Sequence, residues 1–168
     1  TVEYKGLEVG REYTMTGTLV DKETGEAITD AEGNEITTSE IFVAEEKDGS
    51  IDITFKFDAS ALAGKSLVAF ETLYTEGKEV AIHADLEDEG QTIRIPEIHT
   101  TATDKVTGDH DGVVAKETTV LDEVFYKNLI PGKEYTVKGT LMVKETGEAL
   151  VVNGETVTAE KTFTAEEP

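Results

Sequence analysis

The sequence contains no cysteine, so disulfide bonds cannot brace the fold. This absence does not indicate the cytosol, because a surface protein can be braced by another kind of bond. Basic residues are few: 36 Asp and Glu stand against 15 Lys and Arg, which gives a net charge of −21. Such a chain repels a polyanion, so we expect no nucleic-acid partner. No apolar run approaches the roughly 20 residues that span a bilayer, and we expect no membrane insertion in this segment.

Motifs for metals and cofactors are also missing. The three His residues, at positions 83, 99 and 110, do not have the spacing of zinc ligands. Residues 85–90 (DLEDEG) begin like a calcium loop, but its twelfth position is Pro96, where a bidentate Glu is required. The chain has neither a Gly-rich phosphate loop nor a nucleophile elbow. We therefore expect no metal and no cofactor.

The chain does contain an internal repeat. Residues 4–27 and 126–149 are identical at 16 of 24 positions, at an offset of 126 − 4 = 122 residues, and IFVAEE at 41–46 matches TFTAEE at 162–167. This offset is the length of a whole domain. We therefore predict tandem copies of one domain, both incomplete in this chain: residues 1–96 as the C-terminal three-quarters of one copy and residues 97–168 as the N-terminal half of the next.

Within each copy the pattern is that of short strands. Residues 50–57 (SIDITFKF) alternate apolar and polar side chains, which predicts a half-buried strand. Residues 65–74 (KSLVAFETLY) are apolar on both faces in their middle, which favours a central strand. Further short strands are predicted at 80–84 and 91–95, and a single helical turn at 58–63. Many short strands with turns every 8–12 residues predict an all-β sandwich.

Several polar residues fall where a strand pattern predicts an apolar surrounding. Burying such a group without a partner costs roughly 1–3 kcal/mol, and burial raises the pKa of a carboxyl group. One explanation is a position at a strand end or sheet edge, where the charge reaches water. The other is a functional site. The residues concerned are Glu71, His83, Gln91, Thr100 and Asp122.

These strings together resemble one family. VAFE at 68–71, KEVAIHADLEDEGQT at 78–92, PEIHTTATDK at 96–105 and YKNLIPGKEYTVKGTL at 126–141 are similar to the VaFE-type repeat domains. These are immunoglobulin-like modules in the cell-wall-anchored stalks of Gram-positive surface adhesins. The resemblance covers essentially the whole chain. It implies an immunoglobulin-like β-sandwich, an extracellular location on the cell surface, and an ester formed autocatalytically between a Thr and a Gln side chain with loss of ammonia.

Carried over by motif, the cross-linked pair is Thr100 and Gln91, and the assisting residues are Glu71, His83 and Asp122. Thr101 is the competing hydroxyl, but it points to the other face of its strand. The resemblance implies no substrate turnover, so we expect a structural protein and not an enzyme. Two alternatives share the fold: a ligand-binding adhesin domain, and a spacer in which Gln91 and Thr100 only form a hydrogen bond.

The predicted site is split between the two copies. The family implies parallel neighbouring strands for Gln91 and Thr100, and a parallel return needs a crossover of about a dozen residues or more. Only residues 95–98 are available between the two strands. We therefore expect the pair either to stay unreacted in one chain or to join neighbouring copies head to tail, which a heterologous contact allows.

Overall fold

The computed structural model describes residues 1–166, so Glu167, within the match at 162–167, lies outside the described part. Residues 1–166 contain fifteen strands and one short 3-10 turn, Glu89–Gln91, which confirms the predicted all-β class. The chain divides into two compact units, Thr1–Glu97 and Ile98–Pro168, called here unit 1 and unit 2.

Unit 1 is built around one antiparallel sheet. Its strands are β1 (Val2–Tyr4), β2 (Glu12–Asp21), β3 (Thr37–Val43), β4 (Gly49–Ile51), β5 (Ser66–Thr75), β6 (Lys78–His83) and β7 (Thr92–Arg94). The main sheet has the order β3-β2-β5-β6, and β7 also pairs with β5. Strands β1 and β4 form a second, small sheet. As predicted, β5 is central: β2 lies on one edge, and β6 and β7 share the other.

The core of unit 1 lies between these two layers. Tyr13, Met15 and Leu73 are buried on the main sheet and pack with Val2 of the small sheet. Residues 51–57 continue this covering layer, and their alternation leaves every second side chain half-buried. The backbones approach closely at Gly17, where an added Cβ would lie 2.6 Å from Phe55 Cζ and 2.8 Å from Ile53 Cδ1.

Three local predictions were wrong. Of residues 50–57, only the beginning belongs to a strand, β4; the rest keeps the predicted alternation of burial without pairing in a described ladder. Alternation of apolar and polar residues indicates which side chains face a core. An extended segment that covers a sheet without pairing to it shows the same alternation as a strand. Residues 58–63 form turns instead of a helical turn, with Leu62 N donating to Ala59 O at 3.0 Å. Gln91 ends the 3-10 turn, one residue before β7.

Unit 2 consists of four two-stranded sheets in its described part. They pair β8 (Glu97–Asp104) with β9 (Val120–Lys127), β10 (Glu134–Thr140) with β15 (Thr158–Thr164), β11 (Met142–Val143) with β12 (Glu148–Ala149), and β13 (Val151–Val152) with β14 (Glu155–Thr156). Strand β8 starts at Glu97, the last residue of unit 1.

The repeat allows the two units to be compared position by position. Strand β10 is the copy of β2, and in unit 1 β2 is covered along its second edge by β5. Within the described residues β10 pairs with β15 alone. Tyr13, Met15 and Leu19 are buried in unit 1, whereas their copies 122 residues later are only half-buried. Unit 2 thus keeps open, as a groove of about 970 Å³, the face that unit 1 closes.

Gly17 and its copy Gly139 provide a matched test of this difference. An added Cβ at Gly139 meets nothing within 4 Å, whereas an added Cβ at Gly17 meets the side chains of Phe55 and Ile53. We expect Gly17→Ala to destabilise unit 1 by about 1–3 kcal/mol through overpacking, and Gly139→Ala to change little. Urea unfolding followed by the backbone amide signals of β2 and β10 measures both effects. Equal midpoints for the two variants would contradict the packing described for Gly17.

Candidate functional site

Glu71 lies in the middle of β5, with Gly17 of β2 opposite it on one side and His83 of β6 on the other. The position has no access to the sheet edge, and only 3% of the residue is exposed. Its Oε2 atom accepts no hydrogen bond from the described residues. A buried acceptor without a donor costs about 1–3 kcal/mol. The fold therefore keeps this carboxyl group buried at a cost in stability.

The surroundings of Glu71 favour its protonated form. Burial raises its pKa, and this effect outweighs the lowering by His83. The pKa is raised further by the neighbouring carboxylate of Asp88. A carboxyl group with a raised pKa holds a proton more firmly than an exposed Glu does, and this suits an acid or a base that works near neutral pH.

His83 stands between two carboxyl groups. Its Nε2 lies 3.2 Å from Asp88 Oδ2, and its Nδ1 lies 3.9 Å from Glu71 Oε2. The first contact is close enough for an ion pair when the ring is protonated, whereas the second is at the outer limit for one. About half of the His83 side chain is exposed. The ring therefore lies between the buried carboxyl group and solvent, next to Asp88.

Asp88 also holds the turn that carries Gln91. Its Oδ1 accepts a hydrogen bond from Gly90 N at 2.7 Å, and its carbonyl oxygen accepts from Gln91 N at 3.2 Å and from Thr92 Oγ1 at 2.8 Å. Strand β7 follows at once, with Thr92 opposite Val68 of β5. Gln91 is half-buried next to this edge of β5, the edge that also pairs with His83.

A cleft of about 230 Å³ lies beside Glu71 and His83. Its other walls are mostly apolar and include Val2, Met15 and Leu73. Apolar walls lower the local polarity, so hydrogen bonds and charge interactions are stronger there than in water. Such a cleft beside an unpartnered carboxyl oxygen suits a small hydrogen-bond donor such as a hydroxyl group.

The other two predicted site residues belong to unit 2. Thr100 lies on β8 and Asp122 on β9, both are exposed, and both line the open groove. Thr101 is not among the residues that line it. On the opposite face of β8, the His99 ring stacks on Phe125 with centroids 4.9 Å apart. The structure thus groups Glu71 and His83 beside the Gln91 turn in one unit, and Thr100 with Asp122 in the other.

Asp88 is the candidate site residue that the sequence prediction did not include. It lies within residues 85–90, which the sequence analysis rejected as a calcium loop, and its side chain contacts His83. The available signal was its position, five residues after His83 and three before Gln91. Alternation within a strand could not reveal it, because Asp88 lies in the loop between β6 and the 3-10 turn.

Among residues 1–166, no group of three or more His, Cys, Asp or Glu side chains is arranged to hold a metal ion. In the same part of the chain, no helix combines the length and the apolar character needed to cross a membrane.

Comparison with known proteins identifies the family. A family model described as "T-Q ester bond containing domain" matches residues 1–95 and again residues 96–168. The chain therefore belongs to the T-Q ester bond domain family and contains two matches to it. No curated protein matches the chain. A similar solved structure is a bacterial adhesin from Mobiluncus mulieris, described as containing intramolecular disulfide, isopeptide and ester bond cross-links; it is 14% identical, with a TM-score of 0.42, and the match covers 96% of this chain and 82% of that one.

The raised pKa of Glu71 makes a prediction about stability and pH. A carboxyl group whose pKa is higher in the folded state than its ordinary value of 4.5 stabilises the fold most below that value, and this contribution is lost as the pH rises through the raised pKa. Relative to wild type, Glu71→Gln should therefore gain stability as the pH rises above 4.5. Urea midpoints of both proteins at several pH values measure this.

The difference between the urea midpoints of the two proteins is free of the effect of groups whose pKa is lowered, such as Asp21 and Glu89. Both proteins retain these groups, so their contributions cancel. A difference that does not change with pH would show that Glu71 titrates as an ordinary exposed carboxyl group.

Proposed function

We propose that this chain is a structural module of a bacterial cell-surface adhesin, in which an ester between Thr100 and Gln91 side chains braces the domain. The observation that carries the proposal is the buried Glu71 carboxyl group, which has an unpartnered oxygen and lines a cleft together with His83. The Gln91 turn lies along the same edge of β5 as His83. Membership of the T-Q ester bond family supports the choice of Thr and Gln as the bonded side chains.

The reaction conserves its atoms without a cofactor. Thr100 Oγ1 attacks Cδ of Gln91, the bond from Cδ to the amide nitrogen breaks, and the hydroxyl proton ends on the departing nitrogen, which leaves as ammonia. An amide is a poor electrophile in water. Holding the two groups in contact supplies an effective molarity of about 10⁵ M or more. Glu71 takes the proton from the hydroxyl and delivers it to the nitrogen.

The neighbouring groups have supporting roles in this proposal. The charge of His83 lowers the pKa of Glu71, and His83 Nε2 lies 3.2 Å from Asp88 Oδ2. Asp122 lies on unit 2, as Thr100 does. In this proposal its carboxyl group shares a proton with Glu71 during the reaction. The apolar walls of the cleft exclude water, which protects the finished ester from hydrolysis.

Each site forms one bond and then stops, so the module is not an enzyme that turns over a substrate. Where the first and last strands of a domain belong to one chain, such a link closes a loop of domain length, which contributes roughly 4–5 kcal/mol in the chain-entropy model. Between two molecules it makes their association permanent. A cross-link of this kind suits a cell-wall-anchored stalk, which must resist proteases and pulling forces. The ester also provides a covalent brace in a chain that has no cysteine to form a disulfide bond.

The partner in this proposal is a neighbouring copy of the same chain. Unit 1 carries Gln91 and the buried carboxyl group, unit 2 carries Thr100, and the open groove of unit 2 has the same repeat residues that β5 pairs with in unit 1. Residues 97–168 supply the first half of a domain, and residues 47–96 of a second molecule supply the rest. Residues 1–46 of that second molecule would have to give way, since they match residues 123–168 at the offset of 122. Joining molecules repeatedly in this way gives a head-to-tail series.

A denaturing gel of the purified chain tests the bond and the partner together. We expect a ladder of covalent oligomers, with one ammonia lost per link in the intact mass. Thr100→Ala and Glu71→Gln should both abolish the ladder, because one removes the nucleophile and the other the proton carrier.

Thr101→Ala is the matched control, since it removes the neighbouring hydroxyl and should leave the ladder intact. A single monomer band that lacks one ammonia would contradict the partner, because the bond would lie within one chain. A monomer band of full mass would contradict the ester and favour the un-cross-linked spacer.

A further inference from the structure

The turn that carries Gln91 is tied to a distant part of the chain by charged side chains. Glu89, its first residue, accepts a hydrogen bond from Lys22 Nζ at 2.7 Å through Oε1, and pairs with Arg94 Nη2 through Oε2. Lys22 Nζ also lies 3.4 Å from Thr92 Oγ1. Lys22 thus contacts the residues on both sides of the dipeptide that contains Gln91, across 67 and 70 positions of sequence.

Lys22 is itself firmly placed. It directly follows the end of β2, and its backbone N donates to Ser66 O at 2.9 Å at the start of β5. Its side chain is only 19% exposed. The preceding residue, Asp21, is buried and forms an ion pair with Lys65. Lys22 therefore extends from a rigid part of the sheet, and a contact to it limits the movement of the turn.

The network persists over a wide pH range. Hydrogen bonds from Lys22 and Arg94 lower the pKa of Glu89 to about 2. Glu89 is therefore ionised wherever the module is folded and reactive. However, exposed ion pairs contribute little to the free energy of unfolding, because water and salt screen the charges. We therefore expect the network to have little effect on the stability of the fold. It can still determine the position of a single side chain.

We propose that Lys22 is a positioning residue for ester formation, because it fixes the Glu89–Gln91 turn and so holds Gln91 next to the edge of β5 that β6 and β7 share. This inference rests on the proposed function. The geometric demand is strict, since a misplacement of about 1 Å can reduce the rate of such a reaction by about 10²-fold. Lys22 acts through the turn and does not touch the reacting atoms.

The repeat supplies a matched control. Lys144 is the copy of Lys22 at an offset of 122, in the same KETGE string, and it is exposed on unit 2. Lys22→Met and Lys144→Met make the same chemical change in the same local sequence. Lys22→Arg is the conservative variant, because it keeps a cationic donor for Glu89.

The rate is measured by mixing two half-reactive chains, one with Thr100→Ala as the Gln donor and one with Gln91→Ala as the Thr donor. We expect Lys22→Met in the Gln donor to slow the appearance of the covalent dimer by about tenfold or more, with a nearly unchanged urea midpoint. Lys22→Arg should restore most of the rate, and Lys144→Met should leave it unchanged. Equal rates for Lys22→Met and Lys144→Met would overturn the proposal.

A second readout needs no reaction. The side-chain amide signals of Gln91, followed by ¹⁵N relaxation, should show a rigid carboxamide in the wild-type protein and a more mobile one in Lys22→Met only. If no dimer forms with any donor, the proposed function fails, and this measurement still decides the role of Lys22. Unchanged Gln91 mobility in Lys22→Met would refute the positioning role even if the ester forms.

Discussion

Burial of one ionisable carboxyl group inside a sheet is the constraint on which the chemistry of unit 1 depends. Glu71 occupies a position on the central strand where a leucine or valine would fold more easily, and its Oε2 has no donor among the described residues. A fold tolerates that cost when the group has a use. The arrangement of His83, Asp88 and the Gln91 turn along the same edge of β5 follows from this position, because β6 and β7 both pair with β5 there.

The two copies of the repeat show how far the burial of apolar side chains depends on a layer that covers the sheet. The same side-chain types occur at matching positions of β2 and β10, yet they are buried in unit 1 and half-exposed in unit 2. The sequence of each hairpin is therefore sufficient to form its turns and its local pairing. In unit 1 the apolar face is buried by the covering layer, which contributes Val2, Ile51 and Ile53, while β5 pairs along the edge of β2. The groove that Thr100 lines in unit 2 is also lined by Val137, the half-buried copy of Met15.

Patterns of two to ten residues predicted much of this architecture. Alternation and turn residues indicated an all-β fold, the apolar middle of residues 65–74 indicated a central strand, and a charged residue in that middle indicated Glu71 as a site residue. Gln91 was assigned to a strand because the alternation at 91–95 does not distinguish a strand from the turn before it. Asp88 and Lys22 could not be found this way, because each contacts another element through its side chain, and no local period encodes such a contact.

Peptide mapping is the most direct test of a covalent bond between the Gln91 and Thr100 side chains. Trypsin cleaves after Lys78, Arg94 and Lys105, so Gln91 and Thr100 fall in separate peptides, residues 79–94 and 95–105. We expect a species with the summed mass of these two peptides less one ammonia, whose fragmentation places the link at Gln91 and Thr100. Recovery of both peptides only in their free, unmodified form would show that no ester joins the two side chains.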